Sequence, residues 1–487
     1  MPRVPLFVVF IFLVRGATLG AASCENLTAL TLPATAVTSA VAVAAGRTPA
    51  YCRVSAVAKP VADSEIHIEV WLPESAAWNG KLVGTGNGGY SGALSNADME
   101  RALRAGYAVA GSDTGHAGGD LKFGLGHPEK INDWAWRAVH VMTETAKLVV
   151  RSYYGRFAAH AYFSGCSTGG QQALTEAQRF PEDYDGILAG APGNNRVRLN
   201  IGFLWSWLAA NRDAPFPASK LPLLQKSVVA ACDALDGVKD GILSDPRACR
   251  FDPASIECRG DDGADCLTKT QVAAVRAIYD GAKNPRTGER LYAGWERGSE
   301  LGWSGYFIGQ REPARLDFWR YWVFDDPNWD FRGFDFDRDA AYADSKMEFL
   351  TANNPDLAPF QRRGGKLLLY HGGADPVVPP EDTIRYYEAV VRAAGQARVP
   401  SVARLFLIPG MGHCSGGPGP GTFDGLAALD GWVSQGAAPS RIVATHSTNG
   451  SVDRSRPLCA YPQVARWKGA GSTDDAASFE CVAPRTK

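Results

Sequence analysis

Six short apolar runs in this chain each stop abruptly at a turn of glycine and small polar residues. They are Lys81–Val83 before Gly84-Thr-Gly-Asn-Gly-Gly89, Tyr107–Gly111 before Ser112-Asp-Thr-Gly-His116, Ala161–Ser164 before Gly165-Cys-Ser-Thr-Gly-Gly170, Tyr184–Gly190, Lys366–Tyr370 before His371-Gly-Gly-Ala-Asp375, and Ala403–Ile408 before Pro409-Gly-Met-Gly-His413. Runs that are continuous rather than alternating suit strands buried on both faces of a parallel sheet. Helical patterns lie between them, over Trp134–Tyr154 and Thr168–Arg179. Strand, turn and helix in repetition predict an α/β protein with a doubly wound, mostly parallel sheet.

The pattern changes over 196–364. Strand-like runs give way to short segments punctuated by Pro and Gly, and seven of the 13 Trp fall there: Trp205, Trp207, Trp295, Trp303, Trp319, Trp322 and Trp329. Core-type strands resume at Lys366, so the reading is one catalytic fold, residues 23–195 and 365–487, interrupted by an inserted lid of 196–364. These Trp either build the insertion's own interior or, for a few of them, face a cleft where an aromatic substrate is gripped.

Composition narrows the class. With 50 Lys+Arg against 51 Asp+Glu the net charge is −1, which argues against nucleic acid or an anionic membrane as partner. Hydrophobic residues at 45% exclude disorder despite 53 Gly and 30 Pro. Ten cysteines, with no CxxC spacing, point away from zinc ribbons and toward disulfides formed outside the cytosol. Residues 1–22 agree: Arg3, nine apolar residues from Leu6 to Val14, then small residues ending at Ala22 are laid out as a secretory signal peptide, too short to span a bilayer. Cys24 stands at the lipoprotein position, but Ala22-Ser23 is a poor lipobox and lipidation would leave an odd thiol.

Gly165-Cys-Ser-Thr-Gly169 matches G-x-S-x-G between a strand and a helix, the context in which that motif presents a nucleophile. A serine needs a base and an orienting acid, expected here in the order Ser, Asp, His. Ser167 as nucleophile, Asp375 and His413 fit, since the last two sit in turns just past strands. His67, His140 and His160 fall within apparent strands or helices, His116 and His127 precede the serine, and His371 and His446 stay open as alternative bases. The oxyanion donors expected are the N–H of Thr168 and one from the Gly86–Gly89 turn, taken as Gly89. Cys166 precedes the serine and Cys414 follows the histidine; if Ser167 and His413 are hydrogen-bonded, these cysteines are within reach of a disulfide.

At these residues the chain resembles the tannase and feruloyl esterase family, marked by Cys-Ser, Asp and His-Cys. Further matches are Gly126-His-Pro-Glu-Lys130, Arg179-Phe-Pro181, Tyr184-Asp-Gly186, Gly190-Ala-Pro192, Arg456-Pro-Leu-Cys459 and Tyr461-Pro-Gln463, so the likeness spans the mature chain. The resemblance implies an α/β-hydrolase core and the pairs Cys24–Cys52, Cys166–Cys414, Cys232–Cys249, Cys258–Cys266 and Cys459–Cys481. It also implies a structural Ca²⁺ in the lid, held by Asp233, Asp236 and Asp240 through side chains and by Val238 and Ile242 through carbonyls. From spacing alone that segment reads equally as an acidic solvated turn.

The function expected is a secreted serine carboxylesterase with no organic cofactor, acting on small aromatic esters, free or carried on plant polysaccharide or polyphenol. Asp326-Pro-Asn with Trp329 looks more like the feruloyl branch than the tannases, which take gallate esters; the family also holds a terephthalate monoester hydrolase. The competing classes are a non-catalytic binding protein on the same fold and a thiol enzyme using Cys166.

Overall fold

In the computed structural model, residues 22–212 and 214–484 are described; the signal peptide read over 1–22 lies outside them except for Ala22. The six apolar runs become the parallel strands β5 to β10 in a sheet that begins with four others. These are β1 (Thr31–Leu32), β2 (Thr35–Val43), β3 (Tyr51–Ala58) and β4 (Ile66–Pro73), followed by β5 (Lys81–Thr85), β6 (Ala108–Ser112), β7 (His160–Cys166), β8 (Gly186–Gly190), β9 (Lys366–Gly372) and β10 (Ala403–Ile408). The order is β1-β2-β3-β4-β6-β5-β7-β8-β9-β10. From β6 to β10 every neighbouring pair is parallel, while β1 to β4 form an antiparallel extension whose last strand pairs β6 antiparallel.

Side chains alternate across a sheet, so consecutive apolar residues are needed when both faces are covered. Leu82, Ala108, Phe163, Ile187, Leu367 and Leu405 belong to one buried layer. Their neighbours Val83, Val109, Tyr162, Leu188, Leu368 and Phe406 belong to the other. Burying each large apolar side chain contributes about 1.5–3 kcal/mol. The helix Thr168–Arg179 runs as expected, whereas the predicted Trp134–Tyr154 helix starts with a widened turn over Asp133–Arg137 and is α-helical from Ala138 to Tyr154.

The antiparallel extension is the part of the sheet that the run pattern misses. β2 mixes Ala, Ser and Thr with valines and has one buried residue, Ala40, the rest being half-buried or exposed, and β4 begins by alternating apolar and polar, as one-faced strands do. A hairpin of β11 (Arg441–Thr448) and β12 (Ser451–Cys459) and a pair β13 (Val464–Trp467) and β14 (Phe479–Val482) follow.

Between β8 and β9 the chain adds helices and turns and no strand of the sheet. Trp295, Trp303, Trp319 and Trp322 are buried in an apolar cluster made mostly by this segment and shared with Tyr90, Leu121, Trp134 and Val377 of the flanking fold, and Trp205, Trp207 and Trp329 pack half-buried against it, so the tryptophans build the insertion's interior and its seam with the rest of the protein. Two of them also hydrogen-bond outside the insertion: the Trp295 indole donates to the Pro376 carbonyl at 2.7 Å and that of Trp322 to the Leu121 carbonyl at 2.9 Å. No helix of the described residues is long and apolar enough to cross a membrane.

The strand order reverses direction at β5, which has β6 on one side and β7 on the other. A crevice opens outside the carboxyl ends of strands at such a switch point. The Gly84–Gly89 turn follows β5 and Ser167 follows β7, so topology alone brings both to that crevice.

Candidate active site

Ser167 sits alone between the end of β7 and the first residue of the helix Thr168–Arg179, with φ 65° and ψ −117°. A non-glycine residue held there stores about 1–3 kcal/mol of strain, which the surrounding packing must sustain. The flanking glycines make the turn possible: a Cβ on Gly165 would come within 2.5 Å of the Gly169 carbonyl oxygen. The turn after β5 then docks on this elbow. A Cβ on Gly86 would lie 2.5 Å from Gly169 Cα, the Gly169 N–H donates to the Asn87 carbonyl at 2.7 Å, and Ser167 N–H donates to Gly190 at 2.9 Å.

Ser167 Oγ lies 2.8 Å from His413 Nε2, and His413 Nδ1 lies 2.7 Å from Asp375 Oδ2. The Asp375 carboxyl is fully buried. Burial alone would raise its pKa, but the adjoining His413 imidazole and hydrogen bonds from His371 and His413 hold it below the ordinary carboxylate range. A carboxylate only accepts, so the His413 proton sits on Nδ1 and Nε2 is left to accept from the serine hydroxyl. Asp375 Oδ1 takes the Val377 and Val378 N–H groups at 2.7 and 3.0 Å, fixing the acid's second oxygen. The arrangement can therefore deprotonate an attacking hydroxyl and hold the resulting imidazolium.

The structure separates the histidines that the sequence left open. His371 is buried beside Asp375, with Nε2 3.2 Å from Asp375 Oδ2 and 2.9 Å from the Val378 carbonyl, and Nδ1 2.8 Å from Thr383 Oγ1. It supports the acid from behind and does not reach the serine; its place four residues before Asp375 was the only sequence signal of that contact. His446 bonds Asp453 on the exposed β11–β12 hairpin. His116 bonds the Tyr90 carbonyl, and His140 bonds Asp183 at 2.6 Å next to buried Glu176, whose carboxyl oxygens have no hydrogen-bond partner among the described residues.

Thr168 and Gly89, the expected oxyanion donors, are linked: Thr168 Oγ1 donates to the Gly89 carbonyl at 2.7 Å, and neither N–H finds an acceptor among the described residues. Gly89 has φ +55°, where glycine is the unstrained choice. The same hydroxyl accepts from Arg196 Nη2 at 2.9 Å, a contact with no sequence signal.

All five implied disulfides are present, and no described cysteine is free. Cys166–Cys414 spans a Cα–Cα distance of 5.9 Å and joins the residue before the serine to the residue after the histidine. In the acidic loop, Asp233 Oδ1 accepts from Asp240 and Gly241 N–H, Asp236 Oδ1 from Val238, and Asp240 Oδ1 from Ile242. Arg456 holds Asp240 Oδ2 at 2.5 Å. Burial, with the Asp240 and Asp233 charges close by, pushes the Asp236 carboxyl up. Among the described residues these three carboxylates are not brought together as a group whose donor atoms lie within 4.8 Å of one another, so the loop suits a hard divalent cation by the type of its donors, oxygen alone on a disulfide-closed turn, and not by their convergence.

A family model described as tannase and feruloyl esterase matches residues 52–482. An uncharacterised esterase of Xanthomonas campestris pv. campestris is 40% identical, covering 95% of this chain and 91% of its own length. Mono(2-hydroxyethyl) terephthalate hydrolase of Piscinibacter sakaiensis is 35% identical, covering 90% and 85%. The crystal structure of feruloyl esterase B from Aspergillus oryzae matches with a TM-score of 0.87 at 31% identity, covering 94% of this chain and 99% of that one. Because the likeness runs through the hydrolase core and the insertion alike, the chain belongs to the tannase and feruloyl esterase family and is a carboxylic ester hydrolase.

Proposed function

We propose that this protein is a secreted serine esterase that hydrolyses esters of phenolic acids, hydroxycinnamoyl esters first, through an acyl-enzyme on Ser167. The observation that carries the reading is the hydrogen-bonded chain Ser167–His413–Asp375 on a strained elbow. Ser167 Oγ attacks the ester carbonyl while His413 Nε2 takes its proton, and the charge that develops on the carbonyl oxygen is met by the Thr168 and Gly89 N–H groups. Collapse returns the proton to the departing alkoxide and leaves the acyl group on Ser167. Water, deprotonated by His413, then attacks the acyl carbon and releases the acid.

Two lines support an aromatic acyl group: one relative is named a feruloyl esterase and another a terephthalate monoester hydrolase, and Trp329 with Asp326-Pro-Asn resembles the feruloyl branch. Secretion rests on the leader over 1–22 and the five disulfides. Asp233, Asp236 and Asp240, with the Val238 and Ile242 carbonyls, would hold a Ca²⁺ whose part is structural: it would neutralise the loop and brace the insertion.

The test is a panel of methyl ferulate, methyl caffeate, methyl gallate and chlorogenate, with a serine-directed phosphonate as label. Ferulate or caffeate ester cleavage, and labelling lost in Ser167→Ala, is the expected result. A faster gallate ester moves the protein to the tannase side. A wild type that neither labels nor hydrolyses any of the four overturns the serine-esterase reading.

A further inference from the structure

Arg196 opens the first helix of the insertion and is only 1% exposed. Its Nε lies 2.8 Å and its Nη2 2.5 Å from Gln171 Oε1, and Nη2 is 2.9 Å from Thr168 Oγ1. The rest of the guanidinium lies against two aromatic faces, 5.5 Å from the Tyr90 centroid and 5.3 Å from that of Trp134. None of these partners is an anion. A second guanidinium, Arg315, stands 5.6 Å from the same Tyr90 ring, and its Nη1 is buried without a hydrogen-bond partner.

A buried charge without a counter-ion is costly, and proteins seldom keep one without a use. Burial here pulls the Arg196 pKa down to about 10, which still leaves it charged at neutral pH. Neither guanidinium thus has a carboxylate partner among the described residues; the Asp375 carboxylate of the same site is bonded to His413, His371 and the Val377 and Val378 N–H groups instead. The one anion that the proposed reaction creates nearby is the tetrahedral oxyanion, bound by the Thr168 and Gly89 N–H groups. Both residues hang on the Thr168 hydroxyl, which donates to the Gly89 carbonyl and accepts from Arg196. We propose that Arg196 is a positioning residue of the oxyanion hole: it locks the Thr168–Gly89 pair in place and lends its uncompensated charge to the developing oxyanion.

This rests on the Ser167 reading, and it goes beyond it by making the first helix of the insertion part of the hydrolytic apparatus. An oxyanion interaction acts on the transition state and not on the bound ester, so its loss shows in kcat and leaves KM nearly unchanged. A direct oxyanion donor is worth about 10²–10³ in turnover; a residue acting through one should be worth about 10–100-fold.

The experiment compares Arg196→Met, Arg196→Lys and Ser167→Ala on methyl ferulate, following kcat, KM, the rate of phosphonate labelling and Tm. Arg196→Met is expected to lower kcat about 10–100-fold, to keep KM within about threefold, and to slow labelling by the same factor as kcat. Arg196→Lys, which keeps the charge, should stay within about fivefold of wild type. Wild-type kcat in Arg196→Met overturns the proposal, as does a raised KM with kcat intact, or equal losses for Met and Lys that track Tm. If Arg196→Met does not fold, Arg196→Gln is read by the same criteria. Full activity in Ser167→Ala sinks the serine reading itself; a silent Ser167→Ala beside a fully active Arg196→Met sinks only the role of Arg196.

Discussion

Removing the Cys166–Cys414 bridge tests whether the site is held by its two loops or by the covalent link between them. The link closes 248 residues. In the chain-entropy model such a loop is worth about 5.5 kcal/mol at 25 °C, an upper bound because bridges commonly deliver less. Its local effect is the more informative one. Ser167 and Cys414 both have positive φ, 65° and 64°, a conformation costing a non-glycine residue about 1–3 kcal/mol. With the bridge gone, each loop can relax toward an unstrained conformation, and the 2.8 Å contact of Ser167 Oγ with His413 Nε2 lies between the two relaxing residues. A displacement of about 1 Å can cost ~10²-fold in rate. Cys166→Ala/Cys414→Ala should therefore lose up to about 5 kcal/mol by denaturant titration. At temperatures where circular dichroism shows it folded, its kcat on methyl ferulate should fall about 10–100-fold with little change in KM. A folded double variant with kcat within twofold of wild type would refute the reasoning and make the bridge a stability element alone.

Other expectations are as direct. Asp375→Asn leaves His413 without an anionic partner and should lower kcat by about 10³–10⁴. Because the Asp375 pKa is lower in the folded than in the unfolded state, its contribution to stability is present above the unfolded value near 4 and is lost as pH falls through the folded one. Acid titration of stability should therefore be shallower in Asp375→Asn than in wild type. Gly86→Ala forces a Cβ to within 2.5 Å of the Gly169 backbone and should cost at least ~10² in kcat, while Gly46→Ala, with no atom within 4 Å of the new Cβ, should be unchanged in activity assays. Dialysis against a chelator should lower Tm by several degrees, with Ca²⁺ restoring it and kcat at 25 °C little altered; an unmoved melting curve removes the calcium proposal.

What the sequence determined by itself is the part written in local chemistry. Residues such as Leu82-Val83, Ile187-Leu188 and Leu367-Leu368 are apolar in succession because both faces of the sheet are covered, so the parallel strands show in one dimension. The elbow shows too, since only small flanking residues let Ser167 turn as sharply as it does, and the paired cysteines beside Ser167 and His413 announced that two distant segments meet. β1 to β4 fall outside the continuous-run pattern because they are covered on one face only: β3 and the start of β4 alternate buried with more exposed residues, and β2 carries small Ala, Ser and Thr side chains among its valines. The sequence favoured His413 as the base by its order and its His-Cys pair, and tertiary structure removed the alternative: His371 and His413 both reach Asp375, and the path of the loop after β10 brings only His413 to the serine. Tertiary structure alone decided that the tryptophans of the insertion face inward, and that Arg196 stands without a counter-ion against Thr168. Those outcomes depend on which charges and surfaces end up side by side, and residues far apart in the chain acquire such neighbours only when the whole fold closes around them.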